Sequence, residues 1–108
     1  MTFFGHSGLD VTDLDIGFCS SDAFGYRNKG KYPFLLINGC AIGNFFFGRP
    51  TLATDWVLTP DRGAIAALAH THLGYVSYLN EYTTTFYNLL TDSTSLNKSI
   101  GYLQQETI

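Results

Sequence analysis

Two short motifs carry the side chains best suited to chemistry. Phe3-Phe4-Gly5-His6-Ser7-Gly8 ends an apolar run at a histidine, and Leu35-Leu36-Ile37-Asn38-Gly39-Cys40 ends another at a cysteine. A thiolate is a strong nucleophile, and an imidazole can both take and return a proton near neutral pH. The pair predicts acyl transfer, with Cys40 as nucleophile and His6 as general base and acid. Such chemistry also needs hydrogen-bond donors for an oxyanion. The expected donors are the backbone N–H of Cys40 together with Ser7 or Gly8. Taken one at a time the motifs have plainer readings, since Cys40 could be a small buried hydrophobe and Gly-His-Ser an ordinary turn.

For these side chains to meet, both apolar runs must be neighbouring parallel strands whose carboxyl ends point the same way. Thr2 to Phe4 reads as a truncated strand, the apolar run beginning at the first residue. Phe34 to Asn38 is an uninterrupted apolar run of the kind buried on both faces. Ser21-Asp22 predicts a short helix running through Tyr26 and stopping at Gly30. Pro50-Thr51 predicts a second helix with Leu52, Trp56 and Val57 on one apolar face, ended by Pro60. Ala64 to Ala69 reads as a third strand, with a helix as the competitor because Ala is the best helix former. Tyr75, Leu79, Tyr82, Phe86 and Leu89 fall at helical spacing and predict a helix from about Val76 to Leu90, and Ile100 with Leu103 predicts a short last one. Strand, crossover, strand, helix, strand, helix is an α/β pattern with a parallel sheet.

Composition narrows the classes of function. A net charge of −3, with six basic residues scattered along the 108, argues against nucleic acid, which needs clustered Lys and Arg. No apolar run reaches the roughly 18 residues of a membrane span, and the first residues lack the basic start and long apolar stretch of a secretory signal. Only 14% of residues are charged while 45% are hydrophobic, so apolar surface is expected to remain exposed or to meet more protein. Two cysteines permit one disulfide, but a spectator Cys19 beside a free, functional Cys40 is the expectation.

Other candidates have competing readings. His70-Thr71-His72 could offer two imidazoles to a metal with His6 or Cys40 as third ligand; the paired cysteine spacing of structural zinc sites is absent. The expectation is no metal, with His70 at a strand-to-loop junction contacting substrate. Trp56 and Phe45-Phe46-Phe47 could wall a substrate pocket beside Cys40, with Trp56 the expected contact; the competing reading is core. Asp10, Asp13 and Asp15 alternate with apolar residues, lack the spacing of a calcium loop and read as a solvated turn.

The run Phe3 to Gly8, the segment Gly30 to Cys40, Leu52-Ala53-Thr54-Asp55-Trp56-Val57-Leu58 and Gly63-Ala64-Ile65-Ala66 together resemble the gingipain family of cysteine peptidases. More narrowly they resemble its Bacteroidetes branch, which includes the signal peptidase (sortase) of the type IX secretion system. In that family a histidine follows one strand in a Gly-His-Gly or Gly-His-Ser motif and a cysteine follows the next, a spacing that the 34 positions between His6 and Cys40 fit. The likeness runs in order to about Tyr75 and more loosely to Ile100. It implies an α/β, caspase-like (gingipain-type) parallel sheet with flanking helices, of which this chain is the C-terminal part only. On that reading residues 1–108 are a partial cysteine peptidase catalytic domain whose upstream strands are missing, and the missing upstream half is a partner. The resemblance further implies His6 and Cys40 as catalytic residues, a protein or peptide substrate, no cofactor, and a secreted or cell-surface parent protein. Two departures stand out: Ser7 replaces the glycine of gingipains proper, and the acidic residue that orients the imidazole lies upstream of Met1. The alternative is a catalytically inactive peptidase-like scaffold or interaction module of a secretion system, and after it a generic small α/β binding protein.

Overall fold

A computed structural model describes residues 1–108. The chain forms two compact units, Met1–Gly74 and Tyr75–Ile108.

The first unit is built on a three-stranded parallel sheet of β1 (Thr2–Phe4), β2 (Phe34–Asn38) and β3 (Ala66–Ala69), in that spatial order. Register is set by Phe4 opposite Asn38 on one side and Ile37 opposite Ala69 on the other. β2 is central, which is why its run is continuously apolar: Leu35, Leu36 and Ile37 are all buried. The sheet confirms the α/β reading, and Ala64 to Ala69 resolves as a strand, not a helix. It begins two residues later than expected: Ala64 N–H donates to Trp56 O on α1, and Ile65 N–H to Pro33 O just ahead of the first paired position, Phe34 opposite Ala66.

Between the second and third strands lies α1 (Leu52–Leu58). Thr51 starts it with a capping box: its hydroxyl accepts from Thr54 N–H, and the Thr54 hydroxyl accepts from Thr51 N–H. Leu52, Ala53 and Trp56 face inward, whereas Val57 is exposed. The core joins Leu35 and Ile37 of β2 with Ile42, Leu52, Trp56, Ala64 and Cys19. Cys19 is fully buried, and both cysteines are free thiols.

The helix expected from Ser21 to Gly30 shrinks to one 3₁₀ turn, Asp22–Phe24. Gly25 ends it in the left-handed conformation, with φ 66°. Tyr26 is then free to turn inward, where its ring meets Trp56 edge-on at 4.5 Å and its hydroxyl donates to Ile16 O. Phe45–Phe47 form another 3₁₀ turn whose three rings are exposed, Phe46 by 77%. The scarcity of charge thus surfaces as a concentrated aromatic patch.

The second unit contains α2 (Val76–Thr91), a 3₁₀ turn (Ser93–Ser95) and α3 (Ile100–Thr107). Leu79 and Phe86 of α2 and Leu103 of α3 are its buried apolar residues, as the helical spacing predicted. The Asp92 carboxylate receives Thr94 N–H and Oγ1–H, and Ser99 Oγ receives Tyr102 N–H, so both junctions are capped by side chains. No helix is long and apolar enough to cross a membrane.

Candidate active site

His6 and Cys40 each lie two residues beyond the last paired position, Phe4 opposite Asn38, at the carboxyl ends of adjacent parallel strands. The ladder continues one step further, through Gly5 N–H to Asn38 O at 3.1 Å. The two motif loops then touch directly. Ser7 Oγ donates to Cys40 O at 2.8 Å, across 33 positions of sequence. A Cβ on Gly39 would lie 2.1 Å from Ser7 Oγ and 2.9 Å from Gly5 O. Only a residue without a side chain allows this approach.

The histidine loop is a small hairpin. Asp13 N–H donates to His6 O at 3.0 Å, and Gly8 N–H to Val11 O at 2.9 Å. The Asp13 carboxylate accepts from His6 N–H at 2.8 Å. Asp13 therefore grips the His6 peptide from both sides while the imidazole stays exposed. The other two acids have partners as well: Asp15 receives Gly17 N–H and Asp10 pairs with Arg49 at 3.1 Å. The stretch is a pinned loop and not merely a solvated turn.

Beyond Cys40 the chain reverses at Ala41, which has φ 56°. A left-handed alanine costs about 1 kcal/mol, and the surroundings must hold it. Ala41 N–H donates to His72 O and Gly43 N–H to His70 O, both at 2.9 Å. Residues 70–74, which follow β3, therefore run alongside 40–43 as a strap. Its last residue reaches the sulfur: Gly74 N–H points at Cys40 Sγ at 3.5 Å, and Gly74 O lies 3.9 Å from the same atom. Both hydrogen-bond partners of the half-buried thiol are thus on Gly74, not on the His6 imidazole.

Several sequence expectations change here. Of the two residues offered as the second oxyanion donor, Gly8 has its N–H engaged with Val11 O and Ser7 has its hydroxyl engaged with Cys40 O. Of the expected set, the backbone N–H groups of Ser7 and Cys40 remain. Trp56 does not wall a pocket. It is 3% exposed, and its Nε1–H donates to Gly17 O at 2.8 Å inside the core. A cleft of about 250 Å³ next to the Cys40 loop is instead bounded by Gly43, Phe45, Ala53, Val57, Ala69 and Thr71. His70 is half-buried at the end of β3, and desolvation lowers its pKa below the ordinary 6.5. Gly74 was missed, because a backbone donor leaves no side-chain signature; a lone glycine after His70-Thr71-His72-Leu73 was the only trace.

Cys40 is half-buried, whereas Cys19 is fully buried. Burial first, then the nearby Asp55 carboxylate, push its thiol pKa up. A buried thiol held protonated is a poor nucleophile.

No curated protein and no solved structure matches the chain. The family model described as peptidase family C25, the gingipain family, matches residues 1–108. A match over the whole length, on a parallel α/β sheet that carries a histidine and a cysteine at neighbouring strand ends, means that the chain belongs to this family of cysteine peptidases.

Proposed function

We propose that the chain performs acyl transfer on peptide bonds through a His6–Cys40 dyad. The Cys40 thiolate attacks the scissile carbonyl, forming a C–S bond as the C–N bond breaks. The protonated His6 imidazole gives its proton to the leaving amine. The imidazole then removes a proton from water, or from an acceptor amine in a transpeptidase, whose attack on the thioester releases Cys40. The Cys40 N–H is the principal oxyanion donor, and His70 contacts the substrate. The observation that carries this reading is the direct seating of the histidine loop on the cysteine loop, through Ser7 Oγ–H to Cys40 O and the close approach at Gly39.

A place in the branch of the type IX secretion signal peptidase, and action outside the cell, belong to the same proposal. They rest on the motif run from Phe3 to Tyr75. The rival reading is a peptidase-like interaction module, and the observation in its favour is that Gly8 N–H and the Ser7 hydroxyl are spent on internal bonds. A thiol-directed acyl electrophile separates the two. Selective labelling of Cys40, lost in Cys40→Ala and slowed at least tenfold in His6→Ala, is the expected result. Equal labelling of Cys40 and a small-molecule thiol, unaffected by His6→Ala, refutes the dyad.

A further inference from the structure

The sulfur of Cys40 is met by one residue that sequence motifs do not mark. We propose that Gly74 is a positioning residue, whose backbone N–H seats the Cys40 sulfur and stabilises it as the thiolate. This rests on Cys40 being the nucleophile, as proposed above, and goes beyond it by assigning what holds the sulfur ready.

The argument begins with geometry. The donor lies 3.5 Å from Sγ, within the longer range that a large sulfur atom sets, while Gly74 O stands further away at 3.9 Å. A protonated thiol has only that distant carbonyl to donate to; a thiolate has the nearer N–H to accept from. The closer contact is therefore the one that the ionised form uses, and a hydrogen bond to the charged form favours it. The donor is also fixed in place. Ala41 N–H to His72 O and Gly43 N–H to His70 O tie the strap to the loop that carries the sulfur, so Gly74 and Cys40 belong to one hydrogen-bonded arrangement. Ala41 in its left-handed conformation is the cost of turning the chain into that arrangement.

The titratable groups on the surrounding elements are His6, Asp10, Asp13 and Asp15 on the loop after β1, and His70 and His72 on the strap itself. Asp13 is committed to the His6 peptide N–H, and the burial of His70 favours its neutral form. Neither supplies a cation at the sulfur. A backbone N–H carries no titratable charge, so what it offers the sulfur is the same whatever the protonation of the neighbouring imidazoles.

The unmodified protein supplies the first test. In ¹⁵N-labelled protein, the Gly74 amide resonance is expected to move in step with thiolate absorbance as pH rises, and to stop moving in Cys40→Ala. A Gly74 amide that stays flat while the thiolate forms overturns the proposal. Substitution gives the second test. Gly74→Pro removes the donor and Gly74→Ala keeps it. On the acid side of the profile, iodoacetamide should alkylate Cys40 about tenfold more slowly in Gly74→Pro, which corresponds to about one unit along the pH axis, and at the wild-type rate in Gly74→Ala. Superimposable profiles for folded Gly74→Pro and wild type also overturn it. If Gly74→Pro does not fold, the amide titration decides alone. A reactive Cys40 with a flat Gly74 amide defeats only this inference, whereas a Cys40 no more reactive than a free thiol defeats the peptidase reading itself.

Discussion

Replacing Gly39 by alanine is the most direct way to pry the two motif loops apart. The new Cβ would stand 2.1 Å from Ser7 Oγ and 2.9 Å from Gly5 O, where ordinary contact begins at 3.4 Å. The serine hydroxyl can rotate away, but only by giving up its bond to Cys40 O. That loss costs about 1 kcal/mol. The Gly5 carbonyl is backbone: the N–H of the same residue is bonded to Asn38 O and the N–H of its own peptide group, that of His6, to the Asp13 carboxylate, so it can retreat only by loosening the end of the ladder. Overpacking of this kind costs roughly 1–3 kcal/mol. Together the two effects predict a destabilisation of about 2–4 kcal/mol, or a fall in Tm on the order of 10 °C or more for a unit of this size. Because the displacement falls between the proposed base and the nucleophile, peptide cleavage should drop about tenfold to a hundredfold, as a misplacement near 1 Å does elsewhere. The single tryptophan, Trp56, reports unfolding by fluorescence. Ser7→Gly deletes the same bond to Cys40 O, so it should cost about 1 kcal/mol in the wild type and almost nothing in Gly39→Ala, where that bond is already lost. A Gly39→Ala protein with wild-type Tm and wild-type rate, or one whose defect ignores residue 7, would refute the close-contact reasoning.

Two further outcomes follow from the burial of individual side chains. Burial holds the His70 pKa below 6.5, so on acidification the unfolded chain binds its proton before the folded chain does; stability should fall as pH drops from about 6.5 to the lowered value and then level off. Unfolding midpoints measured across pH 7.5 to 5 should show that slope in the wild type and a flatter one in His70→Gln. Trp56→Phe removes the donor to Gly17 O and leaves a buried carbonyl unsatisfied, which should cost about 1–3 kcal/mol by circular dichroism. Its KM for a peptide substrate should be unchanged, because the ring lies in the core; a raised KM would return Trp56 to the substrate wall.

The parts of the fold legible in the sequence were those set by local pattern. The continuous apolar run of β2 announced a central strand, and Pro50-Thr51 announced the start of α1, because helix-start signals act within one turn. The heptad-like spacing of α2 held from Val76 to Thr91. The parts lost were those that tertiary contacts decide. Periodicity put Trp56 on an apolar face but could not say that the face turned toward Cys19 and Ile42 and away from substrate. The helix expected after Ser21 gave way because a left-handed Gly25 and the pull of Tyr26 toward Trp56 outweigh the propensity of so short a segment. The placement of the histidine and the cysteine at neighbouring strand ends was readable because each follows an apolar run that forms a strand. Their setting, made of a glycine close-contact and backbone groups of the strap, was not.

The environment of the sulfur is assembled from three remote stretches: Ser7 lies 33 positions before Cys40 and Gly74 lies 34 after it. No nascent or half-formed chain can hold all three, since each closure depends on strands that pair only over such long separations. Until the sheet is complete, the Cys40 sulfur has none of these contacts. On the proposed role of Cys40 as nucleophile, its rate of alkylation should therefore serve as a clock for folding, rising only when the last of the three stretches docks.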